Sequence, residues 1–372
     1  MKKFTILLAT AFLLLPGAFA RADGNEAGEQ KKKKFNWEAG VDFQYIFDNR
    51  EFAYSDDAIT PSMTVNTAVL APTLGFSVKQ AGKVRHRLRL GVELAHDMGS
   101  QTWDDFLREF LMYYDARVKA NTGTFEGVAG IFPRRFLEGN YSEAFFSDSL
   151  KIFDRNLEGV LFKWRSERFY TELCCDWMGQ YGYSRRERFQ VISFGDWNVA
   201  PWLSLGWTGS FYHFACSVLS PGVVDNHMLE PWAKLSLADA TGWQELSLQA
   251  GLLVSYQWDR VRDSQPTVPL GGEFVLTARR WNVMLQNTTY VGQNMLTLYD
   301  KADLAGIRYG HDLYFGQPFY TGFYDRIELA WTPAVSRYVD LKLGARAHFN
   351  ANGFAGWQQE FSVRLKIDNL FK

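Results

Sequence analysis

The sequence predicts an all-β chain closed into a transmembrane antiparallel β-barrel of about sixteen strands, with long loops at one end and short turns at the other. Three observations carry this expectation. Period-two alternation recurs along almost the whole chain, aromatic residues make up 16% of it, and tight turns take turns with long polar connections. Alternation places successive side chains on opposite faces of a sheet. Aromatics spread through alternating segments, rather than gathered in runs, are what the interfacial girdles of a membrane barrel require.

The stretch VRHRLRLGVELAHD shows why the barrel has to span a membrane. Val84, His86, Leu88, Leu90, Val92 and Leu94 share one face, while Arg85, Arg87, Arg89, Glu93 and Asp97 share the other. An arginine facing lipid at the bilayer midplane costs roughly 2–4 kcal/mol. The arginines therefore face a watery lumen and the aliphatic residues face acyl chains.

The chain opens MKKFTILLATAFLLLPGAFA: two lysines, an apolar run, and a small-residue Ala18-Phe19-Ala20 ending. This is the order of a secretory signal peptide over residues 1–20. A polar lead follows over residues 21–34, and the barrel is expected from residue 35 to residue 372. Loss of Lys2 and Lys3 with the signal takes the formal net charge from −1 to −3, without the basic excess expected of a nucleic-acid partner. The three cysteines, Cys174, Cys175 and Cys216, are too few for a disulfide scaffold.

The elements follow in order. FNWEAGVDFQYIF alternates Phe35, Trp37, Ala39, Val41 and Phe43 against Glu38, Asp42 and Gln44. A strand over about 64–79 turns at residues 80–83 into the arginine-bearing strand, and a loop near 99–105 leads to 106–119. Strands near 125–132, 157–165, 169–178, 189–196 and 202–216 follow, with a long loop over 133–155. Residues 220–231 read as another loop, with Asp225, Asn226 and His227 within it. Further strands fall near 232–238, 244–258, 273–279 and 281–290, then a second long loop from about 292 to 323, and strands near 325–332 and 338–349. The segments near 125, 190, 232 and 273 are weakly patterned, so fourteen strands also fit the sequence. The final strand is the cleanest: Phe361, Val363, Leu365, Ile367 and Phe371 share one parity, against Ser362, Arg364, Lys366 and Asp368.

With this ending, the chain resembles the porin-like outer-membrane β-barrel proteins of Gram-negative bacteria, whose last strand ends in an aromatic residue; here Lys372 follows Phe371. The resemblance implies an outer-membrane location, surrounding outer-membrane lipids and lipopolysaccharide, and recognition of the last strand by the barrel-assembly machinery. It also makes the 133–155 segment, the third long loop, the counterpart of a porin constriction loop.

Pairing the arginine strand with 106–119 places Arg85 opposite Lys119, Arg87 opposite Arg117 and Arg89 opposite Asp115, a basic pore-lining wall. Two arrangements would relieve it. Either the wall is simply solvated, or Glu138, Glu143, Asp148 and Asp154 of the long loop fold inward and oppose it, creating a transverse field across a narrow pore. The aromatic-rich loop near 292–323 is expected to pack over the rim, with sugar stacking as the alternative. No nucleophile–base–acid set, phosphate-binding loop or metal-ligand cluster stands out, so neither an enzyme nor a cofactor is expected. The function read is passive diffusion of small polar solutes, with a substrate-selective transporter as the alternative and a membrane-embedded hydrolase or assembly barrel behind it. A homo-oligomer stays open, because subunit contacts would use the same apolar outer face that meets lipid.

Overall fold

In the computed structural model, residues 34–52, 61–80 and 83–371 are described. The expected signal peptide, the lead up to residue 33 and the tip of the first turn at 81–82 lie outside the described residues.

The alternating segments become sixteen barrel strands: β1 (Lys34–Phe52), β2 (Met63–Gln80), β3 (Val84–Asp97), β4 (Leu107–Ala120), β5 (Gly123–Pro133), β6 (Asn156–Arg165), β7 (Phe169–Gly179), β8 (Arg188–Ala200), β9 (Leu203–Phe214), β10 (Val224–Ser236), β11 (Glu245–Asp259), β12 (Leu270–Arg280), β13 (Val283–Gly292), β14 (Phe323–Trp331), β15 (Val339–Asn350) and β16 (Gly353–Ile367). A three-residue piece, Ala334–Ser336, pairs with the start of β15 at the turn. Each strand runs antiparallel to its neighbours, and β16 returns to β1 with Val41 opposite Ile367, so no edge is left open. The weakly patterned segments are all strands, which settles the count at sixteen.

The even count brings both ends of the barrel chain to the rim that carries the short turns. One of these is a two-residue hairpin at Trp281 and Asn282, both with positive φ (54° and 63°), the backbone hand that matches strand twist. The opposite rim carries the long connections over 134–155 and 293–322.

Outward positions are apolar and exposed, among them Leu74, Leu90, Met112, Leu252, Leu276, Leu285 and Leu329. Phe35 and Trp37 pack against Phe76 near the short-turn rim, and His96, Trp103 and Phe106 pack together near the other. In β3 the parity reads as expected: Arg87, Arg89 and Glu93 are buried on the inside while Leu90 is 54% exposed outside. Leu90→Arg is expected to cost about 2–4 kcal/mol, read as a lower urea midpoint for protein folded into vesicles. An unchanged midpoint would mean that this face does not meet lipid.

Three local expectations are corrected. The β3–β4 register differs by two residues: Arg85 faces Arg117, Arg87 faces Asp115 and Arg89 faces Tyr113. A shift of two keeps every side chain on its face, so alternation alone cannot choose between these registers. The observed one sets Arg87 against a carboxylate rather than against Arg117, and opposite charges directly across a strand pair are favourable where like charges are not. Second, Asp225, Asn226 and His227 lie in β10 rather than in a loop. Their polarity suggested a loop, but Asp225 is paired by Arg260 at 2.7 Å and Asn226 donates to the Leu313 carbonyl at 2.7 Å, so both sit within the barrel wall at low cost. Third, the ladder ends at Ile367. Phe371 is 68% exposed beyond it, while Leu370 donates its backbone N–H to Ala39.

Candidate functional site

The lumen is divided into an apolar half and a charged half. Across β5 to β8, the inward residues Val128, Leu161, Cys174 and Ile192 lie side by side in register and are at most 1% exposed. They are dry because the 134–155 loop folds inward and lays Phe145 and Phe146 on them. The 293–322 loop adds Met295 and Tyr320 to the same core and buries Tyr309 and Tyr314 in a second cluster with Tyr212 and Phe214. Its aromatics therefore pack. The two loops also join: Ser147 donates its backbone N–H to the Phe315 carbonyl at 2.8 Å, and Gln317 donates to that of Glu143 at 2.7 Å.

Three groups of polar contacts hold the 134–155 loop in the lumen. On β7, Glu172 accepts the backbone N–H groups of Glu138 and Gly139 at 2.9 and 2.8 Å and the Tyr141 hydroxyl at 2.8 Å. On β14 and β15, Arg326 pairs with Glu143, and Arg346 lies 3.6 Å from Asp148. Asp148 begins a one-turn helix, Asp148–Phe153, capped by the Ser147 side chain. Burial raises the Asp148 carboxyl, but Arg346 and Lys151 more than offset this and hold it below the usual carboxylate range. On the remaining side, Arg50 of β1 donates to Ser149 Oγ at 2.5 Å.

The four loop acids thus meet cations other than the β3 arginines. Glu138 pairs with Lys163 and Arg165 at 2.6 and 2.5 Å, Glu143 with Arg326, Asp148 with Arg326 and Arg346, and Asp154 with Arg134 of the same loop at 2.6 Å. At Glu138, burial again raises the carboxyl, and Lys163 and Arg165 bring it below its ordinary value. The basic wall is neutralised by acids from the strands themselves. Asp115 binds Arg87 and lies 3.3 Å from Arg85, Glu38 binds Arg89 at 2.9 Å, and Glu126 takes Arg117 at 2.5 Å. Lys119 faces Thr124 at the rim and lines a small recess with Arg117 and Glu126.

Two cavities lie along β1 in the charged half. The one toward the long-loop rim, about 390 Å³, is lined by six carboxylates and four basic side chains. There Arg346 bridges Glu360 at 2.5 Å and Glu328 at 3.3 Å, and Lys342 reaches both acids at 3.0 Å. The cavity toward the short-turn rim, about 780 Å³, is lined by five basic side chains, Arg89, Arg135, Arg337, Arg364 and Lys366, against Asp42 and Asp368. Two loop arginines reach the wall between them. Arg135 meets Asp42 at 2.7 Å beside the bidentate Arg364, while Arg155 donates to Gln44 at 2.9 Å and lies 3.3 Å from Glu93. Arg135 and Arg155 were not singled out from the sequence. Their signal was available only as basic residues at the two ends of a loop for which entry into the lumen was one of two arrangements.

A closed sixteen-strand barrel with an apolar outer belt and a charged lumen narrowed by an inward loop has the fold of the porin-like outer-membrane β-barrels. The crystal structure of Pseudomonas aeruginosa OpdL is similar in fold, with a TM-score of 0.50 at 13% identity over 89% of this chain and 99% of that one. OmpT, an outer membrane protein of Vibrio cholerae in its trimer form, aligns with a TM-score of 0.49 at 10% identity over 90% and 99% of the two chains. A mutant of the Rhodopseudomonas blastica porin aligns at 0.44 and 10% identity over 89% and 100%. No curated protein sequence matches the chain. A family model does: residues 30–204, somewhat under half of the chain, match the lipid A 3′-O-deacylase-type family. This match overturns the expectation that the protein is not an enzyme. Alternation and composition could not have revealed it, because catalytic groups on a barrel wall occupy ordinary inward or outward positions and leave the strand pattern unchanged.

Proposed function

We propose that the protein is a channel for small polar solutes, with its narrowest part set by Arg135 and Arg155. One observation carries this reading: the inward loop leaves an acidic cavity and a basic cavity in series along β1, divided where its two arginines reach Asp42 and Gln44. Opposed charges along a narrow aqueous path favour polar solutes and tune ion preference through the local field. Arg89 extends the basic lining toward the short-turn rim. Conductance in planar bilayers tests the reading. Wild-type protein is expected to give stepwise openings, and the double substitution Arg135→Ser with Arg155→Ser is expected to enlarge them and move the reversal potential toward cations. No openings at all, or an unmoved reversal potential, would sink the assignment.

The family match favours a second reading, hydrolysis of an acyl ester on a lipid A-type glycolipid of the outer leaflet. Its test is separate. Protein folded into lipid A-containing vesicles should release a fatty acid, seen by mass spectrometry as the loss of one acyl chain.

A further inference from the structure

Most buried acids of the lumen wall have a basic partner. Glu38 has Arg89, Asp42 has Arg364, Asp115 has Arg87, Glu126 has Lys163 and Glu328 has Arg326. Among the described residues, Glu172 and Asp259 have none but each accepts three or more hydrogen bonds, whereas Glu230 of β10 and Glu273 of β12 have neither a cation nor such a set of donors. Glu230 and Glu273 are each 1% exposed, and among the described residues neither forms an ion pair. The two stand on either side of β11, where Gly251 faces Glu273 in register. With no side chain on Gly251, the Glu230 carboxylate lies over it: a Cβ there would stand 2.1 Å from Glu230 Oε1. Like charges in a low-dielectric setting repel strongly, so two adjacent buried carboxylates require either a proton or a cation between them.

The surrounding oxygens point to a cation. Both carboxylate oxygens of Glu230, Oε1 of Glu273, Ser142 Oγ and Thr208 Oγ1 are buried without a hydrogen-bond partner. Thr208 is itself 1% exposed and lies directly opposite Glu230 in the β9–β10 register. Ser142, from the inward loop, sits beside both carboxylates. The remaining Glu273 oxygen is taken by the Tyr320 hydroxyl at 2.5 Å, which fixes that side chain in place. Three carboxylate oxygens and two hydroxyls form a hard, oxygen-only donor set, of the kind calcium takes and completes with water. Glu273 and Ser142 also line the cavity toward the long-loop rim, which gives an ion a route in from the lumen.

We infer that Glu230, Glu273, Ser142 and Thr208 bind a divalent cation of the calcium type, tying the inward loop to the barrel wall. The inference stands apart from the channel reading. Terbium, a luminescent stand-in for calcium, provides the test, because Trp232 lies two residues from Glu230 on the same inward face and can sensitise it. In folded wild-type protein, excitation of tryptophan is expected to produce terbium emission that calcium displaces. Glu230→Gln with Glu273→Gln should weaken terbium binding by about tenfold or more, since affinity follows ligand charge. Trp232→Phe should abolish emission while keeping the rise in thermal unfolding temperature that calcium gives over EDTA, so a failure of the double variant to fold still leaves a reading. No displaceable emission in wild type, or equal emission or equal calcium stabilisation in the double variant, would overturn the site in favour of a proton shared by the two carboxylates.

Discussion

Replacing Arg346 by Met is expected to destabilise the barrel by about 3–5 kcal/mol, a large effect for a single residue, because removing one partner of a buried ion network leaves the others uncompensated. Arg346 is 4% exposed at its side chain and serves three carboxylates, Glu360, Glu328 and Asp148. Lys342 remains within 3.0 Å of Glu328 and Glu360, so those two keep a cation, whereas Asp148 keeps only Lys151 and the more distant Arg326. The loss should therefore fall mainly on the loop. Urea unfolding of the protein in detergent or vesicles measures the total, and adding Asp148→Asn to the Arg346→Met variant should restore part of the midpoint. If the double variant is as unstable as the sum of the two singles, the two residues are not coupled and the network reading fails.

The second large effect concerns the lumen itself. Replacing residues 135–155 with a short Gly-Ser linker is expected to raise the single-channel conductance several-fold, because the segment that folds into the lumen, supplies Arg135 and Arg155 at its narrowest part and carries the ties to Arg326 and Arg346 is removed. The hairpin it interrupts should survive. Pro133 faces Asn156 in the β5–β6 ladder, so the chain ends that need bridging are already adjacent. The cost is exposure of the apolar row Val128, Leu161, Cys174 and Ile192 to water, which should appear as a lower thermal unfolding temperature. Unchanged conductance in a folded variant would show that the inward loop does not limit passage.

The four segments that were hardest to read from the sequence share a physical cause. Near 125 and 190, inward positions such as Val128 and Ile192 are apolar, which blurs an alternation that assumes a wet lumen. Near 232 and 273, Pro231 interrupts one strand and adjacent glycines, Gly271 and Gly272, open the other. In the first pair the blurred pattern was itself a signal. An apolar residue on the lumen side means that something in the protein covers it, and only a long loop can do so.

Alternation by itself determined that this chain is a barrel, which residues face lipid and which face inward, because side-chain period and the cost of a charge in hydrocarbon are local and strong. It also placed the 133–155 loop and named its acids. Tertiary structure alone decided which cations those acids meet. Glu143 and Asp148 cross the lumen to Arg326 and Arg346, far away in sequence, while the β3 arginines are satisfied by Asp115 and Glu38 on neighbouring strands. The reason is that register shifts of two leave the pattern intact, and a loop folding into a lumen chooses among many matching charges by geometry, which no local periodicity encodes.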